Sequence, residues 1–380
     1  MGHKMKRLLI LIFYINFNIL AQVDYPTQLS SSNEWAEYSW VKFESEDLLA
    51  DEFQIISNQI DNSELTELNK FKLFIITNHI MGTKSLFNTT VGSQQKIDLV
   101  TFLAVNDMYT EDLSMSKSLS DIVSAKKREI SLIKNNGKLT TKDVKSIINF
   151  DSSISSYRNG EYNRTVRVFL LCREDRHYPC LFILKDIYGD LVRRSDGLIW
   201  SLPALAKSKR GISYNKTNGD TPAGVHQMDS VMLEANRKLS FGKFRRIILN
   251  WINGNFFEEG TLSFLPKDQS SKLWWREAII ARDVGRKYLR IHGTGRINKD
   301  SKSTFYPHVP TSGCISTLEG LYDGVNYEGQ REILEEILKA SQLLPVYSNE
   351  VNISGILYVL ELGSKESAVT IKDLKEIGIE

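Results

Sequence analysis

The sequence predicts an α+β protein in which a helical N-terminal domain precedes a β-dominated domain. Residues 30–150 contain long stretches with apolar side chains three and four positions apart, a spacing typical of amphipathic helices. From about residue 160 the pattern changes to short runs rich in Val, Ile, Leu and Tyr, separated by Gly, Asp and Asn, as in strands and turns. The 380 residues suffice for two domains, and 42% hydrophobic residues exclude a disordered or collagen-like chain.

These patterns divide the chain into four predicted segments. Residues 1–21 form a signal segment, 22–160 a helical domain, 161–363 a β-dominated domain with helical insertions, and 364–380 a C-terminal helix or tail. Strand patterns occupy residues 164–172, 180–194, 224–233, 245–252, 287–293 and 355–363. Helical patterns occupy residues 270–287, 328–342 and 370–377. In the first of these helices, Trp274 and Trp275 are expected to place one indole in the core and the other beside a groove.

The N-terminus has the layout of a secretory signal. Basic residues at positions 4, 6 and 7 precede an apolar run over residues 8–20, and the small residue Ala21 follows. The run contains Asn and is shorter than the roughly 20 apolar residues of a membrane-spanning helix. We therefore expect an exported protein of the periplasm or cell envelope, with no membrane association after signal cleavage; an uncleaved anchor is the alternative.

Charge is distributed unevenly, although the formal net charge is only +2. Residues 161–320 contain 26 Lys and Arg against 16 Asp and Glu, a net charge of +10. A segment this basic suggests either an anionic partner or a solvated basic face. The basic residues are scattered without a nucleic-acid-binding motif, so we expect a carboxylate-rich partner and no nucleic acid.

The three cysteines are expected to serve two purposes. Cys172 and Cys180 flank a polar loop between two strand-like runs, which suits a disulfide across a hairpin in an exported protein. Two half-buried thiols that never pair are the equal alternative. Both alternatives leave Cys314 over, and an odd thiol in an exported chain is a candidate reactive group.

The residues around Cys314 include a candidate nucleophile and base. His292 lies at the end of a strand pattern, directly before a Gly-rich turn. Cys314 lies 22 residues later in a polar loop, directly after Gly313. The thiolate is the reactive form of cysteine, and a neighbouring imidazole can take its proton. Gly313 permits a tight turn that directs nearby backbone amides towards a developing oxyanion. A zinc site made by His292, His308 and Cys314 is an alternative, although these residues lack a tight metal-ligand spacing.

The same segment resembles the signature of the L,D-transpeptidase catalytic domain (YkuD-type). That signature is a His followed by Gly-Thr or Gly-Ser, a gap, and then Ser or Thr, His, Gly, Cys, a hydrophobic residue and Asn or Arg. The matching positions are His292, Gly293, Thr294, Thr311, Gly313, Cys314 and Ile315. A second stretch, residues 220–225, resembles the family's Thr-Pro-x-Gly turn, in which Thr221 and Gly224 are expected to be structural. The resemblance covers roughly residues 165–362.

The resemblance implies an L,D-transpeptidase that acts on peptidoglycan stem peptides in cell-wall cross-linking or remodelling. Cys314 would be the nucleophile that forms a thioester, and His292 the general base, oriented by the backbone carbonyl of Gly293. The backbone at Gly313 would contribute to the oxyanion hole. The expected substrate-binding residues are Thr294, Ser312 and His308. No metal or organic cofactor is required, and the partner of the helical domain is not predicted.

The sequence departs from the family pattern at two positions. Ser312 stands where a second His is usual, and Ser316 stands where Asn or Arg is usual. His308 is the candidate to replace the missing imidazole; a merely exposed loop histidine is the alternative. These departures keep two further functions open, namely an L,D-carboxypeptidase or hydrolase of the same fold and a non-catalytic wall-binding module with a degenerate site.

Overall fold

The computed structural model describes residues 29–44, 48–81, 101–102, 104, 117–151, 161–252 and 257–380. The predicted signal segment, residues 1–21, lies outside this part of the chain. The described residues form both helices and strands, so the predicted α+β class is confirmed. None of the described helices combines the length and the apolar composition that crossing a bilayer requires.

Helices occupy the first part of the described chain. They are α1 (Ser32–Glu44), α2 (Ala50–Ser57), α3 (Glu67–Met81), α4 (Lys117–Asn136) and α5 (Thr141–Asn149). Helix α5 begins with a capping box, in which the Thr140 hydroxyl accepts from the Asp143 amide and the Asp143 carboxylate accepts from the Thr140 amide. The chain divides into two compact units, one ending at Leu65 and the other extending from Thr66 to Glu380.

The second unit contains a closed barrel of eight strands. These strands are β1 (Val166–Arg173), β2 (Cys180–Lys185), β3 (Leu202–Leu205), β4 (Gly224–Val231), β5 (Ile247–Trp251), β6 (Arg290–His292), β7 (Ile315–Thr317) and β10 (Gly355–Leu362). Their order is β1-β10-β4-β5-β6-β7-β3-β2, and β2 pairs with β1 to close the barrel. The β1–β10 and β6–β7 pairs are parallel, and the others are antiparallel.

Shorter elements interrupt or follow the barrel strands. The strands β8 (Glu319–Tyr322) and β9 (Val325–Glu328) form a separate hairpin. The helices are α6 (Lys238–Phe241), α7 (Phe257–Leu262), α8 (Arg276–Asp283), α9 (Gly329–Ala340) and α10 (Ile371–Glu376). Helices α8, α9 and α10 lie within the three helical patterns that the sequence predicted in this half of the chain.

The interior of the barrel is one apolar core. All eight strands contribute to it, because alternate side chains of a strand point to the same face of the sheet. Helix α9 packs its apolar face against the same core. The contributing side chains include Val168, Leu170, Phe182, Met228, Leu249, Leu357, Val359, Ile333 and Ile337.

A second core covers the outer face of the strands around β1. Phe169 of β1 stacks on Tyr358 of β10, with ring centroids 4.9 Å apart. Side chains from α5, α8 and α10 pack in the same cluster, among them Val144, Ile279 and Leu374. Both faces of β1 are therefore buried, which explains its apolar run over residues 168–172.

This outer core gives the barrel unit wider limits than the predicted range 161–363. Helix α5 lies before residue 160, yet it packs on the barrel within the unit that begins at Thr66. The C-terminal segment also belongs to this unit, since the buried Arg173 guanidinium pairs with Asp373 at 2.8 Å. Composition does not reveal such docking, because an amphipathic helix has the same pattern whichever surface it covers.

Trp274 and Trp275 are both core residues, so the expectation that one of them lines a groove is wrong. Their side chains are 2% and 1% exposed. The two indole N–H groups donate to the side-chain oxygen and the backbone carbonyl of Gln269, each at 3.3 Å. The two residues lie in the turn before α8 rather than inside a helix. Their side chains are therefore not held at the angular separation that a helix imposes.

Gly224 is expected to be required where β4 meets α8. Its φ is +137°, and an added Cβ would lie 2.7 Å from Ala278 Cβ and 2.9 Å from the Trp275 carbonyl oxygen. We expect Gly224→Ala to lower the free energy of unfolding by roughly 2–4 kcal/mol, because it adds backbone strain and overpacks this contact. Denaturant unfolding measures the loss.

The matched control is Gly197→Ala. Gly197 also has a positive φ, +80°, but an added Cβ would meet nothing within 4 Å. Backbone strain alone should cost about 1–2 kcal/mol there. Equal losses in the two variants would contradict the close approach of α8 to β4.

A disulfide joins Cys172 of β1 to Cys180 of β2, with Cα atoms 4.3 Å apart. Both residues belong to the interior core of the barrel. Cys314 is the free cysteine of the chain. The two cysteines are eight residues apart in sequence. Their disulfide closes the β1–β2 hairpin at the end where the connecting loop leaves the barrel.

Thiol titration tests this pairing in the protein itself. Denatured, unreduced protein should give one free thiol per chain, and three after reduction. Cys314→Ala should give none before reduction and two afterwards, which identifies the free thiol. Three free thiols in unreduced wild-type protein would show that the hairpin cysteines do not pair.

Candidate active site

The register of β5, β6 and β7 decides which side chains share a surface. Ile291 pairs with Ile247 of the antiparallel β5 and with Ile315 of the parallel β7. All three isoleucines belong to the interior core. Because successive side chains of a strand alternate, the residues beside them are directed to the outer face of the barrel. His292 and Cys314 are two of these residues.

The Cys314 thiol lies beside the backbone that leads into β6. Its Sγ donates to the Tyr288 carbonyl oxygen at 3.7 Å, and the residue is 8% exposed. Burial raises the pKa of the thiol, whereas the positive charges of Arg290, Arg286 and Arg246 act in the opposite direction. The raised pKa makes the protonated thiol the resting form at neutral pH.

The His292 imidazole is held by the turn that follows it. Nδ1 lies 2.5 Å from the Gly293 carbonyl oxygen, which can only accept, so Nδ1 carries the proton and Nε2 is the basic atom. The Phe241 ring meets the imidazole edge to face, with centroids 4.9 Å apart. Burial lowers the pKa of His292 to about 4; the bond to Gly293 opposes this, and the charges of Arg290 and Arg246 add to it.

The two candidate catalytic side chains share one face but are not hydrogen-bonded. His292 pairs with Ser316 in the β6–β7 ladder, which places Cys314 two positions away on the same outer face. In the described part of the chain, the thiol bonds to Tyr288 and the imidazole to Gly293, and no hydrogen bond joins the two groups. Catalytic hydrogen bonds are often open before substrate binds. The two residues therefore share a face of the barrel without a preformed thiolate–imidazolium contact.

The backbone around Cys314 is fixed by two threonine hydroxyls. Thr221 donates to the Gly313 carbonyl at 3.0 Å, and Thr311 donates to the Cys314 carbonyl at 2.6 Å. Because a peptide group is planar and trans, holding the Gly313 carbonyl also sets the direction of the Cys314 N–H. The sequence identified Thr221 only as a turn residue; its bond to the cysteine loop comes from the tertiary structure.

Arg286 holds a neighbouring loop that packs against Gly313, and it was not singled out in the sequence. Its guanidinium donates to the backbone carbonyls of Tyr214, Asp220 and Gly219, the last two at 2.8 Å. An added Cβ at Gly313, where φ is +95°, would lie 2.4 Å from Arg286 and 2.5 Å from the Gly219 carbonyl oxygen. Glycine at position 313 is thus needed both for its φ and for this contact.

Glu319 is a second residue that the sequence did not reveal. Its carboxylate is buried, and one oxygen accepts from the Lys243 amide at 2.8 Å. The other oxygen, Oε1, has no hydrogen-bond partner in the described part of the chain. An added Cβ at Gly293 would lie 1.7 Å from it, so only glycine fits the turn after His292. Burial raises the pKa of Glu319.

Thr294 and Ser312, two of the expected substrate-binding residues, have different environments. The Thr294 hydroxyl is buried, donates to the Leu239 carbonyl at 3.4 Å and accepts from the Arg296 amide at 3.1 Å. Ser312 is exposed at the tip of the cysteine loop. The structure therefore leaves Ser312 open to a ligand, whereas the Thr294 hydroxyl already has protein partners.

His308 is buried, in contrast to the alternative that it is merely an exposed loop residue. It is 3% exposed, and its Nδ1 has no hydrogen-bond partner among the described residues. Burial lowers the pKa of its imidazole to about 4. Its backbone carbonyl accepts from the Asn298 side-chain amide at 2.9 Å, and this bond joins two segments of the loop between His292 and Cys314.

No group of three or more His, Cys, Asp and Glu side chains in the described ranges is arranged to hold a metal ion. The zinc alternative from His292, His308 and Cys314 therefore has no geometric support. No protein-family model and no curated protein matches the sequence.

The pKa directions of the candidate pair predict how Cys314 reacts with iodoacetamide. Because burial raises the pKa of Cys314 and lowers that of His292 to about 4, both groups stay neutral between pH 5 and pH 8. The alkylation rate should therefore rise steadily with pH through this range, about tenfold per unit, since only the thiolate reacts. Mass spectrometry of Cys314 measures the rate, and N-acetylcysteine is the reference thiol. A rate plateau below pH 7 would indicate a preformed ion pair instead.

Proposed function

We propose that the protein is a cysteine-dependent L,D-transpeptidase that acts on peptidoglycan stem peptides. The observation that carries the proposal is the pairing of β6 with β7. It places Cys314 on the same outer face as His292, whose Nδ1–H is held by the Gly293 carbonyl. A thiol beside a base of fixed tautomer is the arrangement that nucleophilic acyl transfer needs. The order of the matched sequence positions adds support from the family resemblance.

The proposed reaction begins with transfer of the thiol proton from Cys314 to Nε2 of His292. The sulfur attacks the carbonyl carbon of the L-centre of the stem peptide, and the carbonyl oxygen becomes an oxyanion. Collapse of this intermediate breaks the peptide bond, and the departing D-residue amine takes the proton from His292. A thioester on Cys314 remains. An amine or water then attacks the thioester, loses a proton to His292 and releases the thiol.

The oxyanion would lie against the backbone at the Gly313–Cys314 turn. Thr221 holds the Gly313 carbonyl, and the Cys314 N–H projects from the opposite side of the same planar peptide. An amide fixed in this way can stabilise the developing charge without reorganising, which is the main source of oxyanion stabilisation. Thr311 holds the carbonyl that follows this peptide, and Arg286 holds the Gly219 carbonyl, which packs against Gly313.

The resting charge state favours proton transfer coupled to attack. With a raised thiol pKa and a histidine pKa of about 4, a separate thiolate and imidazolium are unfavourable before substrate binds. The imidazolium needs to exist only until the leaving amine takes its proton. A neutral His292 is available as a base throughout the neutral pH range.

Hydrolysis by the same site is a second candidate function, because the two departures from the family pattern affect substrate contacts. Ser316, where Asn or Arg is usual, is buried and donates to the Val309 carbonyl at 2.9 Å. Ser312, where a second His is usual, presents only a hydroxyl. Fewer contacts are thus available to an acceptor amine, and water would then resolve the thioester as in an L,D-carboxypeptidase. A non-catalytic wall-binding module is the third candidate.

We expect Cys314→Ala to abolish turnover of defined tetrapeptide muropeptides without unfolding the protein. The thiol contributes little core volume, so the loss of stability should stay below about 2 kcal/mol. Product masses distinguish the candidates: cross-linked dimers indicate transpeptidation, trimmed tripeptides indicate hydrolysis, and unchanged substrate indicates a binding module. Ser301→Ala, an exposed change in the loop before the cysteine, is the control.

A carbapenem gives a second readout for the same variant. It should acylate the Cys314 sulfur and add its mass to the wild-type protein and to Ser301→Ala, but not to Cys314→Ala. An adduct that persists in Cys314→Ala would assign the nucleophile to another residue.

A further inference from the structure

Two arginines on the outer face of the barrel lie beside the candidate catalytic pair without a carboxylate partner. Arg246 is 4% exposed and donates to the Asn236 side-chain oxygen at 2.6 Å. Arg290 donates to the Tyr288 carbonyl at 3.2 Å. Within the described ranges, neither guanidinium lies within 4.0 Å of an Asp or Glu oxygen. The buried Nε of Arg246 has no hydrogen-bond partner there.

The strand register places both arginines on the face that carries His292 and Cys314. Ile247 pairs with Ile291, so the preceding Arg246 is directed outward beside His292. Arg290 lies two residues before His292 in β6 and therefore has the same direction.

The Phe241 ring shows how close these groups are. The guanidinium carbon of Arg246 is 4.3 Å from its centroid, that of Arg290 is 6.0 Å away, and the imidazole ring of His292 is 4.9 Å away. The two cations and the candidate base thus surround one aromatic side chain.

Three other buried arginines of this chain have acidic partners. Arg173 pairs with Asp373 at 2.8 Å, Arg176 with Glu361 at 2.8 Å, and Arg245 with Glu350 at 3.5 Å. Removing a charge from water without a counter-ion is costly, so pairing is the usual arrangement. Arg286 is buried without a carboxylate partner too, but its guanidinium donates to three backbone carbonyls. In the described ranges Arg246 and the half-buried Arg290 have neither a carboxylate nor such a set of carbonyls, and a bound anion would supply the missing partner.

We infer that Arg246 and Arg290 form a carboxylate-binding subsite beside Cys314. Guanidinium groups match the geometry of a carboxylate and bind it through charge-assisted hydrogen bonds. The exposed side chains of Leu239 and Tyr288 border this region and provide apolar contact for the rest of the ligand. A ligand carboxylate held here lies next to the atoms that react.

The subsite assigns two arginines a role in substrate binding, and this assignment rests on the proposed function. If Cys314 attacks a peptide carbonyl, a carboxylate bound beside it belongs to the residue that leaves. Arg246 and Arg290 would then hold the terminal carboxylate of the tetrapeptide donor in the proposed function. A stem peptide whose terminal carboxylate is blocked should bind and react poorly.

Alkylation of Cys314 tests the subsite without requiring transpeptidase activity. Iodoacetate and iodoacetamide react in the same way: the thiolate sulfur bonds to the CH₂ carbon, and iodide leaves with the bonding electrons. Only iodoacetate carries a carboxylate. The ratio of the two rates on one protein therefore reports anion recognition and cancels differences in thiolate population.

Wild-type protein should favour iodoacetate over iodoacetamide by about tenfold relative to N-acetylcysteine, as expected for a charge-assisted hydrogen bond. Arg290→Gln and Arg246→Gln should each remove most of this preference. The control Arg296→Gln, an exposed residue in the turn after His292, should retain it. Arg290 is less buried than Arg246, so Arg290→Gln remains informative if Arg246→Gln fails to fold. A wild-type ratio equal to that of N-acetylcysteine would overturn the subsite.

A binding experiment separates this inference from the proposed function. In Cys314→Ala, N-acetyl-D-alanine should shift the amide resonances of residues near Arg290, and N-acetyl-D-alaninamide should not. Carboxylate binding without any muropeptide turnover by the wild type would support the subsite and contradict the proposed reaction. Turnover that is equal for free and amidated stem peptides, with no alkylation preference, would support the reaction and contradict the subsite.

Discussion

The parallel pairing of β6 with β7 is the constraint on which the rest of the candidate site depends. It joins two segments that are separated by a long loop, and it sets Ile291 opposite Ile315. Burial of these two isoleucines in the barrel core fixes the register, because a shift of one residue in either strand would turn its isoleucine outward. The outward direction of His292 and Cys314 follows from that register. The reactive groups are therefore positioned by apolar packing on the opposite face of the same strands.

A second layer of contacts determines the backbone geometry that chemistry would use. The turn before β4 supplies Thr221, the segment before β6 supplies Arg286, and the hairpin after β7 supplies Glu319. Each packs against a glycine beside a candidate catalytic residue, either Gly313 or Gly293. The glycines and their polar neighbours form one unit, since a side chain at either position would displace the group that supports it.

The electrostatics of the site differ from those of a preformed thiolate–imidazolium pair. Burial makes both Cys314 and His292 prefer their neutral forms, while the nearby positive charge resides on the guanidinium groups of arginines. Guanidinium groups beside the neutral Cys314 thiol favour the binding of an anion at this site. The same charges would stabilise the thiolate when it forms, so substrate recognition and nucleophile activation would draw on one set of groups.

The sequence by itself determined the α+β class, most strands and helices, and the candidates His292, Gly293, Gly313 and Cys314. These are local properties, since periodicity, turn residues and reactive side chains are visible within short segments. It could not show that α5 and the C-terminal helix pack on the barrel, or that both indoles of Trp274 and Trp275 are buried. Nor could it show Arg246, Arg286 and Glu319 beside the candidate pair, because an isolated charged residue in a strand or loop has no distinguishing pattern. Only the tertiary structure decided these points, since strand register and the packing of distant segments join residues far apart in the chain.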